Sequence, residues 1–315
     1  MALTTKTYSV LTSVYDPTQT TTLRNVFARE MKRRFAELCL VIAKAIVQED
    51  CFGLQNKQPQ INQMQTPGQQ AFAFSRSDLK LEQFMKWVQD QVDKGILDVR
   101  TVKQVGSGVE GVWTNRYIFD SYRRGVIRAR YELKKAGYDV PDIEGTGGIE
   151  ISMSTPFHLD RLGLLYTRTY AELKGVTAAM DSQISRVLAQ GLADGENPRA
   201  IARKLVATIN GTNMGDLAIT DTLGRFIPAS RRAEMITRTE IIRSHHQATI
   251  QEYRNWAVEG VTVQVEWMTA GDKRVCSRCE EMAKGSPYTL DQIQNLIPNH
   301  PQCRCIAIPQ KLIIK

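Results

Sequence analysis

The chain has 315 residues, 42% of them apolar and 23% charged, with a formal net charge of +8 and a pI near 9.2. This composition can bury real cores, the length fits two domains, and the cationic excess favours anionic partners such as nucleic acid or an acidic protein surface. A membrane protein is not expected: the most apolar run, Leu38 to Val47, is too short for a bilayer and contains Lys44. The N-terminus carries no secretory pattern, so a reducing cytoplasm is expected during folding, where clustered cysteines are metal ligands or free thiols more often than disulfides.

Residues 16–50 read as one long helix. Asp16-Pro17 offers a cap followed by proline in the first turn, and Thr20 to Thr22 offer a later start. Leu23, Val26, Phe27, Met31, Phe35, Leu38, Ile42, Ala45 and Ile46 recur at three- and four-residue steps. Arg24, Arg29, Lys32, Arg33 and Arg34 lie opposite. Glu30, Glu37, Glu49 and Asp50 dilute that face, so it reads as a solvated surface. Cys39 and Cys51 read as small core residues. Residues 53–70, rich in Gln, Asn, Pro and Gly, predict an exposed loop.

Ser77 is the expected cap of a second helix, buried through Leu81, Phe84, Met85, Val88 and Val92 and closed at Gly95. Gly106-Ser107-Gly108-Val109-Glu110-Gly111 resembles a dinucleotide fingerprint only superficially, because no βαβ pattern surrounds it. A third helix is expected over Trp113–Ala136, with Tyr117, Ile118, Tyr122, Val126, Ala129 and Leu133 inward. It is the most basic segment of the chain. Its Arg116, Arg123, Arg124, Arg128, Arg130 and Lys134 are the candidates for contact with DNA or an acidic protein surface.

Residues 137–156 break the composition and suggest a boundary between a helical domain, 1–150, and a second domain, 151–315. Beyond the break, Phe157–Gln190 predicts a long helix ended by Gly191. Asn197-Pro198 restarts a short one with Ile201, Leu205 and Ile209 inward, and residues 211–226 return to loop. Ser230 is expected to cap a further helix reaching Val258. Val261, Val263, Val265 and Trp267 then alternate with polar residues as a half-buried strand, for which Ile306 and Ile308 supply a neighbour. The expected fold class is therefore mainly α with a small α+β C-terminal domain, in which a small sheet carries a cysteine-rich knot.

Four of the six cysteines fall within residues 276–305. Cys276-x-x-Cys279 points two sulfurs at one spot, and Cys303-x-Cys305 returns two more, with His300 just ahead. Four soft donors converging tetrahedrally at about 2.0–2.3 Å would hold a structural zinc ion. Because the two sulfurs of C-x-C lie on opposite sides of an extended backbone, His300 with Cys303 is the alternative second pair. Disulfides and free thiols remain open on spacing alone.

The order Arg238-Thr239-Glu240, a strand with Trp267, Thr269, Asp272, Cys276-x-x-Cys279 and His300-Pro301-x-Cys303-Arg304-Cys305 resembles the phage head morphogenesis family, the Mu protein F-like and SPP1 gp7-like minor head proteins, over roughly residues 160–310. The resemblance implies a structural minor head protein of the virion, associated with the portal vertex and other head proteins during procapsid assembly, with DNA contact and no catalytic residues. The zinc assignment rests on spacing and not on this resemblance. Arg238 and Glu240 are expected to tie their helix to the cysteine segment.

Two other classes compete. A zinc-containing DNA-binding protein would place a basic helix beside the cysteines, whereas the most basic helix here is distant in sequence. A metal-dependent nuclease would draw on His245, His246, Glu240 and Asp272. However, Glu240 and His245 do not align on one helix face, no H-E-x-x-H or phosphate loop is present, and the histidine pair reads as one buried and one solvated ring.

Overall fold

The computed structural model describes residues 16–54, 67–98, 103–105, 108–110, 112–140, 148–211, 227–257 and 263–310. These form helices α1 (Thr21–Val47), α2 (Pro67–Val92), α3 (Asn115–Ala136), α4 (Gly148–Met153), α5 (Pro156–Ala193), α6 (Pro198–Asn210), α7 (Ala229–Asn255), α8 (Ser277–Lys284) and α9 (Leu290–Ile293). The strands are β1 (Lys103–Val105), β2 (Gly108–Glu110), β3 (Gln264–Met268), β4 (Tyr288–Thr289) and β5 (Ile306–Pro309). The architecture is the mainly helical one expected, with a small antiparallel sheet near the C-terminus and clustered cysteines.

The chain divides into two compact units, each drawn from separated stretches. A helical unit comprises Val26–Asn115 and Tyr166–Thr237; a cysteine unit comprises Met1–Asn25, Arg116–Leu165 and Arg238–Lys315.

In the helical unit, the predicted stripe of α1 is buried at Phe27, Met31, Phe35, Leu38, Ile42 and Ile46, whereas Val26, expected on it, is exposed. Glu30 binds both Arg33 and Arg34, which holds its carboxyl down at about 2. Arg34 also stacks over Trp113 at 4.2 Å, whose indole N–H donates to the Ile96 carbonyl at 2.8 Å. Helix α2 begins at Pro67, ten residues before Ser77, and its last turn widens into a π-helical turn, Asp93–Leu97. The left-handed residue closing it is Asp98, not Gly95. Residues 55–66, in the expected loop, lie outside the described residues. Helix α5 runs through Gly191 to Ala193, and Gly191 packs against Ile201 of α6. Asn197 caps α6 as expected, its side chain accepting from Ala200 N–H at 2.9 Å ahead of Pro198. Cys39 is buried, whereas Cys51 is exposed and not in the core.

In the cysteine unit, the segment before α1 winds around Asp16. Its carboxylate accepts from the Thr18 and Thr20 backbone N–H groups, the Thr18 and Thr21 hydroxyls and the Arg24 guanidinium. Arg24 is therefore buried, not on a wet face: burial is tolerated because the carboxylate supplies the compensating charge. Helix α3 crosses α7 closely at Gly125, where an added Cβ would come within 2.4 Å of the His245 carbonyl oxygen. Ser121 Oγ donates to the Ile241 carbonyl at 2.6 Å beside the crossing. A polar network lies further along: Tyr122 O–H meets His158 Nδ1 at 2.8 Å, His158 Nε2 lies 3.5 Å from Glu252, and Glu252 receives Arg130 and the Trp256 indole N–H. Burial alone would raise the Glu252 carboxyl, but these donors outweigh it and hold the group ionised.

Helix α7 starts at Ala229, with Ser230 already inside it and buried. Residues 244–250 are buried without interruption. This helix has no solvated side there, which is why its inner face was so imperfect in the sequence.

Candidate metal centre

Strand β3 is the middle of the C-terminal sheet, antiparallel to β4 through Val265↔Tyr288 and to β5 through Trp267↔Ala307 and Met268↔Ile306. Its exposed and buried residues alternate, with Val265 and Trp267 inward. The sheet therefore fixes residues 268 and 306 side by side, at the two entrances to the cysteine segments. The chain leaves β3 through a turn in which Asp272 accepts Arg274 N–H at 3.0 Å. Cys276 follows as the N-cap of α8, its sulfur accepting from Cys279 N–H at 3.4 Å. This is the local reason for the C-x-x-C spacing: one turn of helix puts both sulfurs on the same side.

The two cysteine segments are clamped together by charge. Arg304, between Cys303 and Cys305, donates both terminal nitrogens to Asp272 at 2.7 and 2.6 Å, a fork-to-fork pair. Arg304 and then Arg274 hold the Asp272 carboxyl well below the usual range. Arg304 was only a motif letter in the sequence. Its partner 32 residues earlier gives it a physical role.

All five predicted donors are brought together, as two overlapping triads. Cys276, Cys279 and His300 lie within 4.8 Å of one another, and so do Cys279, Cys303 and Cys305. Cys279 belongs to both. Its sulfur lies 3.3 Å from His300 Nε2 and 3.9 Å from Cys303 Sγ. The sulfur–sulfur distance is about twice a disulfide bond. It is close to the edge of about 3.7 Å that two thiolates at about 2.3 Å make around a tetrahedral ion. His300 Nδ1 lies 2.8 Å from the Pro301 carbonyl, which can only accept. The proton is therefore on Nδ1, and the Nε2 lone pair points at the sulfurs, the tautomer a metal ligand needs.

Cys279, Cys303 and Cys305 are all buried, in one core cluster with Val265, Trp267, Ile293 and Ile297. They titrate as a set. The Cys305 thiol, backbone N–H groups and nearby His300 bring Cys303 down to about 5 against the opposing effect of burial. Burial and the charge on Cys303 push Cys279 up to about 12, and donation to Cys303 raises Cys305 further. Packed this closely in a dry cluster, the sulfurs resist ionising together. A divalent cation would let the remaining donors ionise, as coordinating thiols do.

Helix α7 backs the site. His246 Nε2 donates to the Ile293 carbonyl at 3.1 Å, Gln247 to the Gln294 carbonyl at 2.8 Å, and Thr239 Oγ1 accepts from Gln302 N–H at 3.2 Å. Of the residues expected to tie α7 to this segment, Glu240 is buried and pairs with Arg243 on its own helix at 3.1 Å. Thr239, between Arg238 and Glu240, makes the bond to the cysteine segment. Both His245 and His246 are buried, so the expectation of one solvated ring is corrected. The two rings leave α7 in different directions, and only His246 meets the cysteine segment.

The basic face of α3 is partly turned inward. Arg116, Arg123 and Arg124 are exposed, Arg128 pairs with Glu132, and Arg130 is engaged with Glu252 and stacked on Trp256 at 5.0 Å.

Residues 182–308 match the family model described as Phage Mu protein F like protein, which suggests a phage head-related, structural protein. No curated protein and no solved structure matches the chain. Among the described residues, no helix is long and apolar enough to cross a membrane.

Proposed function

We propose that this chain is a minor head protein of the virion that acts at the portal vertex during head assembly, with the C-terminal Cys/His unit locked by a structural zinc ion. The observation that carries the reading is the match of residues 182–308, whose C-terminal part coincides with the clamped cysteine knot. Cys279 anchors the ligand set, joined by Cys276, Cys303 and either His300 or Cys305. Four soft donors with no open position suit a structural ion and not a catalytic one. The exposed arginines of α3 supply the surface for non-specific phosphate contact.

The test is co-purification. The tagged chain, expressed with its cognate portal and scaffold-containing procapsids, should elute with portal complexes and be retained in heads. A chain that never enters procapsids would end this reading. Elemental analysis should return one zinc per chain with no disulfide by thiol count. A metal-free protein whose four C-terminal thiols all titrate without added denaturant would remove the zinc.

A further inference from the structure

A cavity of about 440 Å³ opens in the cysteine unit on the side of α7 facing α3. One wall is a single stripe of α3, Arg124, Ile127, Arg128, Tyr131, Glu132 and Lys135, at steps of three and four residues. The opposite lip is Thr18 and Gln19, held over the opening by the Asp16 turn. Gln19 has a left-handed φ of 53° that its N–H bond to the Asp16 carbonyl, 3.0 Å, helps fix. His245 is the lining residue that α7 contributes.

His245 is only 4% exposed, yet its ring makes no hydrogen bond among the described residues; its backbone is held in α7, where the carbonyl also accepts from the Thr249 hydroxyl. Its ring nitrogens are not among the enclosed unpartnered polar atoms, so the cavity keeps them within reach of solvent or of a ligand atom. Burial, with Arg128 and His246 adding to it, pushes the ring down to about 3, so it is neutral and offers one N–H donor. Around it stand three cations against one carboxylate. Arg124 and Lys135 have no ion-pair partner among the described residues, while Arg128 is shared with Glu132. At the rim, Tyr131 and Ile127 are 60% and 46% exposed, an aromatic and an aliphatic face beside the cations.

We infer that this cavity is a binding site for one nucleotide unit of single-stranded nucleic acid, its phosphate between Arg124, Arg128 and the His245 N–H, its base on Tyr131 and the next phosphate along the strand at Lys135. The volume lies in the range of small-ligand sites. A free base has a π-face for Tyr131, whereas in a duplex that face is already stacked. The cations would take the phosphate of a free nucleotide equally well, so the two sources must be separated by experiment. The inference deepens the phosphate-contact part of the proposed function and does not depend on the portal.

The test uses the full chain as purified, with a fluorescent oligodeoxythymidine, a duplex of equal length, thymidine monophosphate, inorganic phosphate and an acidic peptide as probes at low salt. The single strand should bind more tightly than the duplex. Tyr131→Ala should weaken single-strand binding at least about fivefold, the lower end of a stacking contact, and leave duplex binding unchanged. Arg124→Ala and Lys135→Ala, both on exposed side chains, should weaken both. In protein labelled with ¹⁵N-histidine, thymidine monophosphate should shift the His245 ring resonances, a readout that is lost in His245→Gln. Monophosphate binding without any preference for the strand would make the source a free nucleotide and overturn the nucleic-acid assignment. Equal binding of duplex and strand, indifferent to Tyr131→Ala, or His245 resonances that stay still, would overturn the pocket itself. So would displacement by the acidic peptide and not by the monophosphate. Portal co-purification of the same variants keeps the two proposals apart: variants that lose strand binding but still enter heads break only this one.

Discussion

Among the described residues, the helical unit buries one charged side chain, Glu234, which Lys32 and Arg231 reach. The cysteine unit buries Arg24, Glu132, His158, Glu240, His245, His246 and Glu252, together with three thiols. A core of aliphatic and aromatic groups needs only shape and area, and its stability is spread over many contacts. A core of ionisable groups needs each partner in place, because a single missing partner leaves a buried charge or dipole uncompensated. The helical unit should therefore be tolerant and locally repairable, and the cysteine unit brittle and responsive to metal and pH.

The largest expected effect divides the units most cleanly. If zinc holds the C-terminal knot, chelation under reducing conditions removes a contribution on the order of 10 kcal/mol and should melt the cysteine unit first. Near-ultraviolet circular dichroism would follow Trp267 and Tyr288, whose rings lie 6.4 Å apart on the sheet. The helical unit should keep its far-ultraviolet signal. One transition, unmoved by chelator, would erase the contrast.

The converse cut is Phe35→Ala. Phe35 is fully buried on the α1 stripe, so its loss should cost about 3–5 kcal/mol of helical-unit stability. Thermal melts should show this with the metal content and thiol count of the cysteine unit unchanged. A variant that also released the metal would show that the two cores do not fail separately.

What could be read from the sequence follows the same division. The apolar stripes of α1, α3 and α6 were legible because each of these helices has one dry and one wet side. Helix α7 was not, because residues 244–250 are enclosed on every side and the 3.6-residue period disappears. The early start of α2 had a usable signal, since Pro67 occupies the first helical position where proline is favoured. The donors of the metal centre were legible by residue type and spacing. The Asp272–Arg304 clamp and the bond from Gln302 to Thr239 join residues 32 and 63 apart, and no local pattern encodes them. The same holds for the ring of His245 beneath the α3 stripe. One letter separates it from His246, yet they serve different surfaces.

Acid should act on the units with opposite sign. His245 and His246 fall from an ordinary 6.5 to about 3 and about 4, chiefly through burial. Between these values the unfolded chain binds protons that the folded one refuses, so stability falls as pH drops below 6.5. At pH 5 the loss is about 2 kcal/mol per histidine. In the helical unit, burial and then Asp93 raise Asp181 to about 6. Its folded form takes up a proton that the unfolded form does not bind until near 3.8, so stability there rises as pH drops through 6, by no more than about 1 kcal/mol after solvent screening. Urea melts at pH 7 and pH 5 should show the cysteine-unit transition moving to lower denaturant while the helical-unit transition holds or gains. Parallel losses in both would mean that the buried histidines do not govern the response.

The smallest effects come from two helical glycines. At Gly125 a methyl group would meet backbone, the His245 carbonyl oxygen at 2.4 Å, and Ala248 Cβ at 2.7 Å. Neither can swing away, so Gly125→Ala must force α3 off α7 at a cost of about 1–3 kcal/mol. It should also disturb the His245 ring and the cavity above it. At Gly175, inside α5 in the helical unit, nothing lies within 4 Å of the added Cβ. Gly175→Ala should gain up to about 1 kcal/mol from helix propensity. Both substitutions add the same methyl group to a helix, so the sign of the change in melting temperature reports only what surrounds it. Gly125→Ala alone should reduce single-strand binding. If both variants were stabilised, the α3–α7 crossing would be looser than 2.4 Å allows, and the cysteine unit less brittle than its buried charges require.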